Sequence, residues 1–343
     1  DDVTEVNMDN SGSVKSLSTG ENGELLADLF IDCTGFLSLL LEKALKVPFV
    51  SFNDTLLNDR ALATQVPYLD KDKEMHSVTN CTGIEAGWVW NIPLYNRIGS
   101  GYVYSSKHAT REEAESQFRK HLAKTDPKRA AEAKIFALKI RHGIHEKLWV
   151  KNVVGVGLSA GFIEPLESTG LMMTHEVIMV LLRTLSRREG AINQLDKDAF
   201  NFAVRDTMEG FRSFISQHYA LSGRTDTPYW REVTQGIEYS KAAAEYKSAS
   251  NPRNDSTVDF SYRLNLSREF HPEMGGLPYI AAGSGYSPIT KFDLDLEEAS
   301  TGIKDEEWKD TKVRWTAHNE QVKNLVAEMP THYQFLKNMY GDE

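Results

Sequence analysis

A chain of 343 residues is longer than one ordinary core requires and predicts two subdomains or one large mixed domain. Its 41% hydrophobic and 26% charged residues suit a soluble globular protein, and its formal net charge of −10 disfavours nucleic acid and anionic membranes as partners. No apolar stretch reaches the roughly 18 residues that span a bilayer, and Cys33 and Cys81 alone exclude a disulfide framework and a Cys-based metal site.

The chain opens at Asp1-Asp2 with no visible signal peptide, so a reducing cytoplasm is the expected compartment. Val3 to Leu17 alternates apolar and polar residues around Asn10-Ser11-Gly12, a hairpin signal. A second turn is expected at Glu21-Asn22-Gly23, then a strand from Ala27 to Thr34 that runs into Gly35. Nothing beside Ser38 would make it a nucleophile. Phe49 to Tyr68 reads as loop-rich. Gly83 to Ser106 predicts two strands with a turn over Asn96–Gly101. The two-residue period puts Ala86, Trp88, Trp90 and Ile92 on one face of the first, where the two indoles form a wall. Thr110-Arg111-Glu112-Glu113 is a capping box that starts a helix running to about Ala123.

His142 and His145 have His-x-x-His spacing, but on an extended segment Glu146 points away from His145, which argues against a metal site. Val153 to Val156 reads as a buried strand. It leads into Gly157-Leu158-Ser159-Ala160-Gly161-Phe162-Ile163-Glu164-Pro165-Leu166-Glu167-Ser168-Thr169-Gly170. A Gly-rich turn between strand and helix aims backbone N–H groups and a helix dipole at an anion, and Glu167 adds a carboxylate able to act as a base. By chemistry alone, an ordinary cap with Thr169 as N-cap is the competing reading. Leu171 to Arg188 reads as a buried helix, apolar nearly all round, with His175 satisfied inside it. A second helix spans about Asp198 to Leu221 and carries His218-Tyr219 near its end. Ser248 to Thr257 reads as a loop, and Asp305 to Glu343 as charged helix broken at Pro330.

Gly87-Trp88-Val89-Trp90-Asn91-Ile92-Pro93-Leu94, followed by the long turn, resembles the flavin-dependent halogenases of the tryptophan halogenase family. That family shows a Trp-x-Trp-x-Ile-Pro motif and then Gly-Phe-x-Glu-Pro-Leu-Glu-Ser-Thr-Gly. The resemblance implies an α/β (α+β) flavoprotein monooxygenase-like fold. Mixed sheets of the FAD domain would fill 1–170, and a mostly helical substrate subdomain 171–343. It implies FADH2-dependent chlorination or bromination of an electron-rich aromatic such as an indole, through a flavin hydroperoxide and hypohalous acid. FAD and a halide ion are the implied cofactors. A separate flavin reductase is the implied partner, and a homodimer is open.

Carried over residue by residue, Glu167 and Ser168 are catalytic, and Thr169 and Gly170 hold the halide through unpaired N–H groups. Leu158, Leu171 and Gly161 contact flavin. Trp88, Trp90, Ile92 and Pro93 separate flavin from substrate. The Gly-x-Gly-x-x-Gly fingerprint and the family Lys are missing, so a chain lacking its N-terminal region, inactive by itself, is expected. Phe270 to Gly285 lacks the Phe-Trp pair of the tryptophan pocket, which favours another indole, a substituted aromatic or a carrier-bound substrate. Met274 and Tyr279 are candidate lining residues. An aromatic monooxygenase on the same scaffold and a non-catalytic flavoprotein remnant are the alternatives.

Overall fold

The alternation from Val3 to Leu17 forms β1 (Val3–Met8) and β2 (Val14–Thr19). Asp9 closes the turn by accepting the backbone N–H groups of Ser11 and Ser13. With β3 (Gly23–Leu26) they make an antiparallel meander in the order β1-β2-β3. This computed structural model describes residues 1–188, 191–237, 280, 283–284 and 305–341. The strand expected over Ala27–Thr34 is shorter: β4 covers only Phe30–Asp32. The buried Asp32 carboxylate accepts the N–H groups of Thr34, Leu40 and Leu41, which turns the chain out of the strand.

Phe49–Tyr68, expected to be loop-rich, contains β5 (Phe49–Ser51) and β6 (Arg60–Val66). Small residues at Ala61 and Ala63 weaken the strand signal there. Pairing fixes β6 instead, in a five-stranded antiparallel sheet ordered β10-β6-β9-β8-β7. Its other strands are β7 (Asn80–Ile84), β8 (Gly87–Pro93), β9 (Ile98–Tyr104) and β10 (Phe136–Lys139). β8 and β9 are the expected pair over Gly83–Ser106, joined by a turn tighter than foreseen.

α1 (Lys71–Glu74), α2 (Arg111–Leu122) and α3 (Pro127–Glu132) follow in the connections. The Thr110 capping box starts α2, which buries Ala114, Phe118 and Leu122. Phe118 meets the Tyr102 ring of β9 at 6.3 Å. β11 (Gly143–His145) lies between β5 and β14 (Gly161–Phe162). β12 (Trp149–Val150), β13 (Val153–Gly155) and β4 form the last sheet, β13 running parallel to β4. Asn152 fastens the meander to it, accepting from Val14 N at 3.0 Å and donating to Val14 O at 2.7 Å.

α4 (Thr169–Arg188) packs on α5 (Gln194–Ala220), whose start is a capping box between Asn193 and Asp196. α4 is not buried all round. Only Thr169, Met173, Val177 and Leu181 are buried, one residue per turn, while Leu171, Met172, Ile178 and Leu182 are exposed. A helix with one covered side hides one stripe, whatever the hydropathy of the rest. His175 falls outside that stripe and is exposed, which corrects the expected buried histidine. α6 (Pro228–Arg231), α7 (Asp305–Glu328) and α8 (His332–Tyr340) complete the described elements. The break at Pro330 falls between α7 and α8, as read from sequence. Ser248–Thr257, Met274 and Tyr279 lie outside the described residues. One contiguous apolar core runs from Val14 to Val233 and joins the sheets to α4, α5 and α6.

Candidate active site

The wall is built by strand period. Trp88 and Trp90 share a face of β8, their ring centroids 6.2 Å apart at 61°. The Trp90 ring lies over Gly101 of β9, where a Cβ would come within 2.1 Å of its Cζ2 atom. Trp88 is buried, Trp90 half-buried, and Ile92 and Pro93 carry the strand outward to an exposed end.

The turn that follows β13 is longer than a simple loop. A one-turn 3-10 segment (Gly157–Ser159) precedes β14, and a second (Leu166–Ser168) precedes α4. Leu158 and Leu171 are both exposed, as are Phe36 and Leu37 on the neighbouring 3-10 turn that packs against Gly157–Ser159. Gly161 is buried, and a Cβ there would lie 2.4 Å from the Gly143 carbonyl, so its missing side chain serves the contact of β14 with β11. Ser38 is buried and donates to the Ser159 carbonyl at 2.9 Å.

Glu167 and Ser168 both adopt left-handed backbone, with φ of 58° and 57°. Two consecutive non-glycine residues there store roughly 1–3 kcal/mol each. The Glu167 side chain reaches outward, and its Oε1 lies 3.5 Å from Nε2 of His218 on α5. As hydrogen-bond partner and as charge, that ring holds the Glu167 carboxyl below its usual range, against the opposing effect of burial.

Thr169 is not the expected N-cap. Its backbone is helical, its N–H donates to Leu166 O, and its hydroxyl donates to the same carbonyl at 3.1 Å. The unpaired N–H expected at Thr169 is therefore absent. Gly170 is open, with nothing within 4 Å of an added Cβ.

One residue that the sequence reading passed over joins turn to wall. Glu164 is fully buried, and its Oε2 accepts the Trp88 indole N–H at 3.1 Å and the Asn58 amide at 2.9 Å. Asn58 also donates to the Tyr219 hydroxyl of α5 at 2.9 Å. Burial first, and the adjacent Glu164 second, hold the Tyr219 phenol well above its usual range. A charged residue type between Ile163 and Pro165, amid apolar and small neighbours, was the available signal. Cys81, opposite Trp90 across β7 and β8, reports the same meeting of motifs. Burial and then the Glu167 charge push its thiol up to about 11.

His142 and His145 do not converge. His142 bonds the Asn58 carbonyl and stacks on Phe162, and burial lowers its pKa. His145 meets Glu42 at 3.1 Å. Among the described residues no group of three or more His, Cys, Asp or Glu side chains could hold a metal ion. No helix among them is long and apolar enough to cross a membrane.

Residues 1–265 match the tryptophan halogenase family. The chain belongs to that family. It is 41% identical over 345 residues to the tryptophan 6-halogenase SttH of Streptomyces toxytricini, covering 99% of this chain and 61% of that one. Among solved structures it superposes on VirX1 with a TM-score of 0.83 at 39% identity, covering 100% of this chain and 65% of that one. Tar14, a tryptophan C-6 flavin-dependent halogenase (chlorinase) from taromycin biosynthesis, gives 0.77 at 34% identity, covering 98% and 63%. The fold is therefore the α/β flavoprotein-like fold of this family, mixed sheets followed by helices. The chain spans about three fifths of the length of the curated relatives it matches.

Proposed function

We propose that the protein halogenates an electron-rich aromatic ring, such as an indole, using reduced FAD and chloride or bromide. The observation that supports this reading is the Trp88–Glu164 hydrogen bond, which joins the strand of the two indoles to the segment that leads to Glu167. The turn fits a flavin. Exposed Leu158, Leu171, Phe36 and Leu37 offer apolar surface to a flat ring system, beside a glycine with an open face. When bound, reduced flavin with dioxygen supplies the oxidising equivalent that makes the halide electrophilic.

The chain's own residues do the rest. Gly170 lets a halide approach the start of α4 without a Cβ in its path, and Thr169 ties the turn through its bonds to Leu166 O. Trp88, Trp90, Ile92 and Pro93 keep the ring to be halogenated apart from the flavin, so that direct oxygenation does not occur. Glu167 takes the ring proton as aromaticity returns, the work of a general base, and Ser168 orients it. Residues 1–170 supply the cofactor side and 171–343 the substrate side. A separate flavin reductase in the cytoplasm delivers the reduced flavin.

The test is to supply the full reading frame that holds this chain with a flavin reductase, NADH, FAD and bromide or chloride, offer a panel of indoles, and follow halogen isotope patterns by mass spectrometry. A halogenated product is expected, and Glu167→Gln should reduce its rate by roughly 10²–10⁴-fold. Hydroxylated product in its place would instead support an aromatic monooxygenase.

A further inference from the structure

We propose that His218 is the proton partner of Glu167, taking from the carboxylate the proton that Glu167 removes from the aromatic ring. This rests on the halogenation reading above, but its geometry stands by itself. His218 sits in the last turn of α5, between the buried Gln217 and Tyr219, and is the side chain of that turn that meets the 166–168 segment. Its Nδ1 lies 3.1 Å from the Phe214 carbonyl. A carbonyl only accepts, so Nδ1 carries a hydrogen. In a neutral ring Nε2 then presents a lone pair. That atom is buried and lies 3.5 Å from Glu167 Oε1.

A lone pair and a carboxylate oxygen that close repel, and a single proton between them converts repulsion into attraction. The pair is thus arranged to hold one proton. The Phe214 ring meets the imidazole edge-on, 5.1 Å away at 84°, and fixes its plane. On the other side, the left-handed backbone at Glu167 and Ser168 turns the carboxylate toward α5. Cys81 also interacts with Glu167, and its raised thiol remains neutral and does not compete for the proton.

The step balances without an added reagent. The C–H bond at the halogenated carbon breaks, its electron pair restores the ring, and the proton goes to a Glu167 oxygen. The new O–H bond then breaks as the proton passes to Nε2, leaving carboxylate and imidazolium. The proton then leaves for water by way of the Glu167 carboxylate, whose side chain is 56% exposed. His218 touches no substrate in this scheme and acts through Glu167, as a positioning residue.

Ring-nitrogen NMR of the full chain labelled with ¹⁵N-histidine tests the pair whether or not the enzyme turns over. The His218 ring should show Nδ1 at the protonated and Nε2 at the unprotonated position in the resting chain, the tautomer that the Phe214 carbonyl selects. A ring that carries its hydrogen on Nε2 instead would overturn the proposal. In the halogenation assay, His218→Gln should lower kcat about tenfold with KM little changed, and imidazole should restore part of the rate to His218→Gly. Unaltered turnover in His218→Gln would overturn it as well. A full reading frame that makes no product would sink the halogenation reading, while the Nε2 resonance would still decide the pair.

Discussion

Glu164 shows how much one buried polar atom can organise. Its Oε2 receives donors from β8 and from the β5–β6 connection, and its main chain lies in the turn that ends in Glu167. Burying a carboxyl group without partners is costly, so these bonds matter more for what breaking them leaves behind than for their own strength. Trp88→Phe keeps the aromatic bulk but removes the indole N–H from Oε2. It should lower stability by about 1–3 kcal/mol, read as a reduced urea midpoint with an unchanged slope. A loss near zero would mean that Asn58 alone satisfies the carboxyl. Glu167 is legible from sequence because its motif is long. Glu164 stands in the same motif, yet its role depends on a residue 76 positions away and no local pattern announces it.

Among the elements, the start of α2 was plain in the sequence, whereas α5 begins at Gln194 and not at about Asp198, and the membership of β6 was hidden. The Thr110 capping box is a local bond between neighbours in sequence, and it forms as read. β6 has no such local signature, and two partner strands impose its geometry. The 166–168 turn departs most from local preference, since Glu167 and Ser168 occupy backbone that favours glycine. Ser168→Gly should relieve part of that strain and raise stability by roughly 1 kcal/mol. Chemical denaturation measures it directly, and an unchanged midpoint would place the strain elsewhere. Stability gained this way should come with slower turnover if the left-handed pair is what aims Glu167 at His218. α4 adds the converse lesson. Its composition suggests full burial, but how many sides of a helix are covered is a property of its neighbours.

For the molecule as a whole, Glu42 ties distant segments together and sets an acid limit. It lies on the Leu39–Ala44 turn and meets Arg141 at 2.6 Å and His145 at 3.1 Å. Burial alone would raise its pKa, but the bonds from Arg141 and then His145 outweigh it and hold the carboxyl at about 2, against an ordinary 4.5. Between those two values the unfolded chain binds a proton that the folded chain does not. This contribution is thus fully present above the ordinary value and is lost as pH falls toward about 2. Stability measured through that window should fall less steeply for Glu42→Gln than for the wild type. Equal slopes would show that other carboxyls carry the acid transition.

Residues near one another in the chain determined the hairpin at Asn10–Gly12, the capped start of α2, the alternation that builds the Trp wall, and the motif holding Glu167. Each depends on backbone period or on bonds within a few positions, so composition and spacing suffice to show it. Only the tertiary structure decided that Trp88 reaches Glu164, that His218 faces Glu167, that Thr169 spends its N–H on Leu166, and that α4 hides a single stripe. Those outcomes depend on which surfaces meet across the fold. A one-dimensional pattern carries no distance between residues far apart in sequence, and packing alone supplies it.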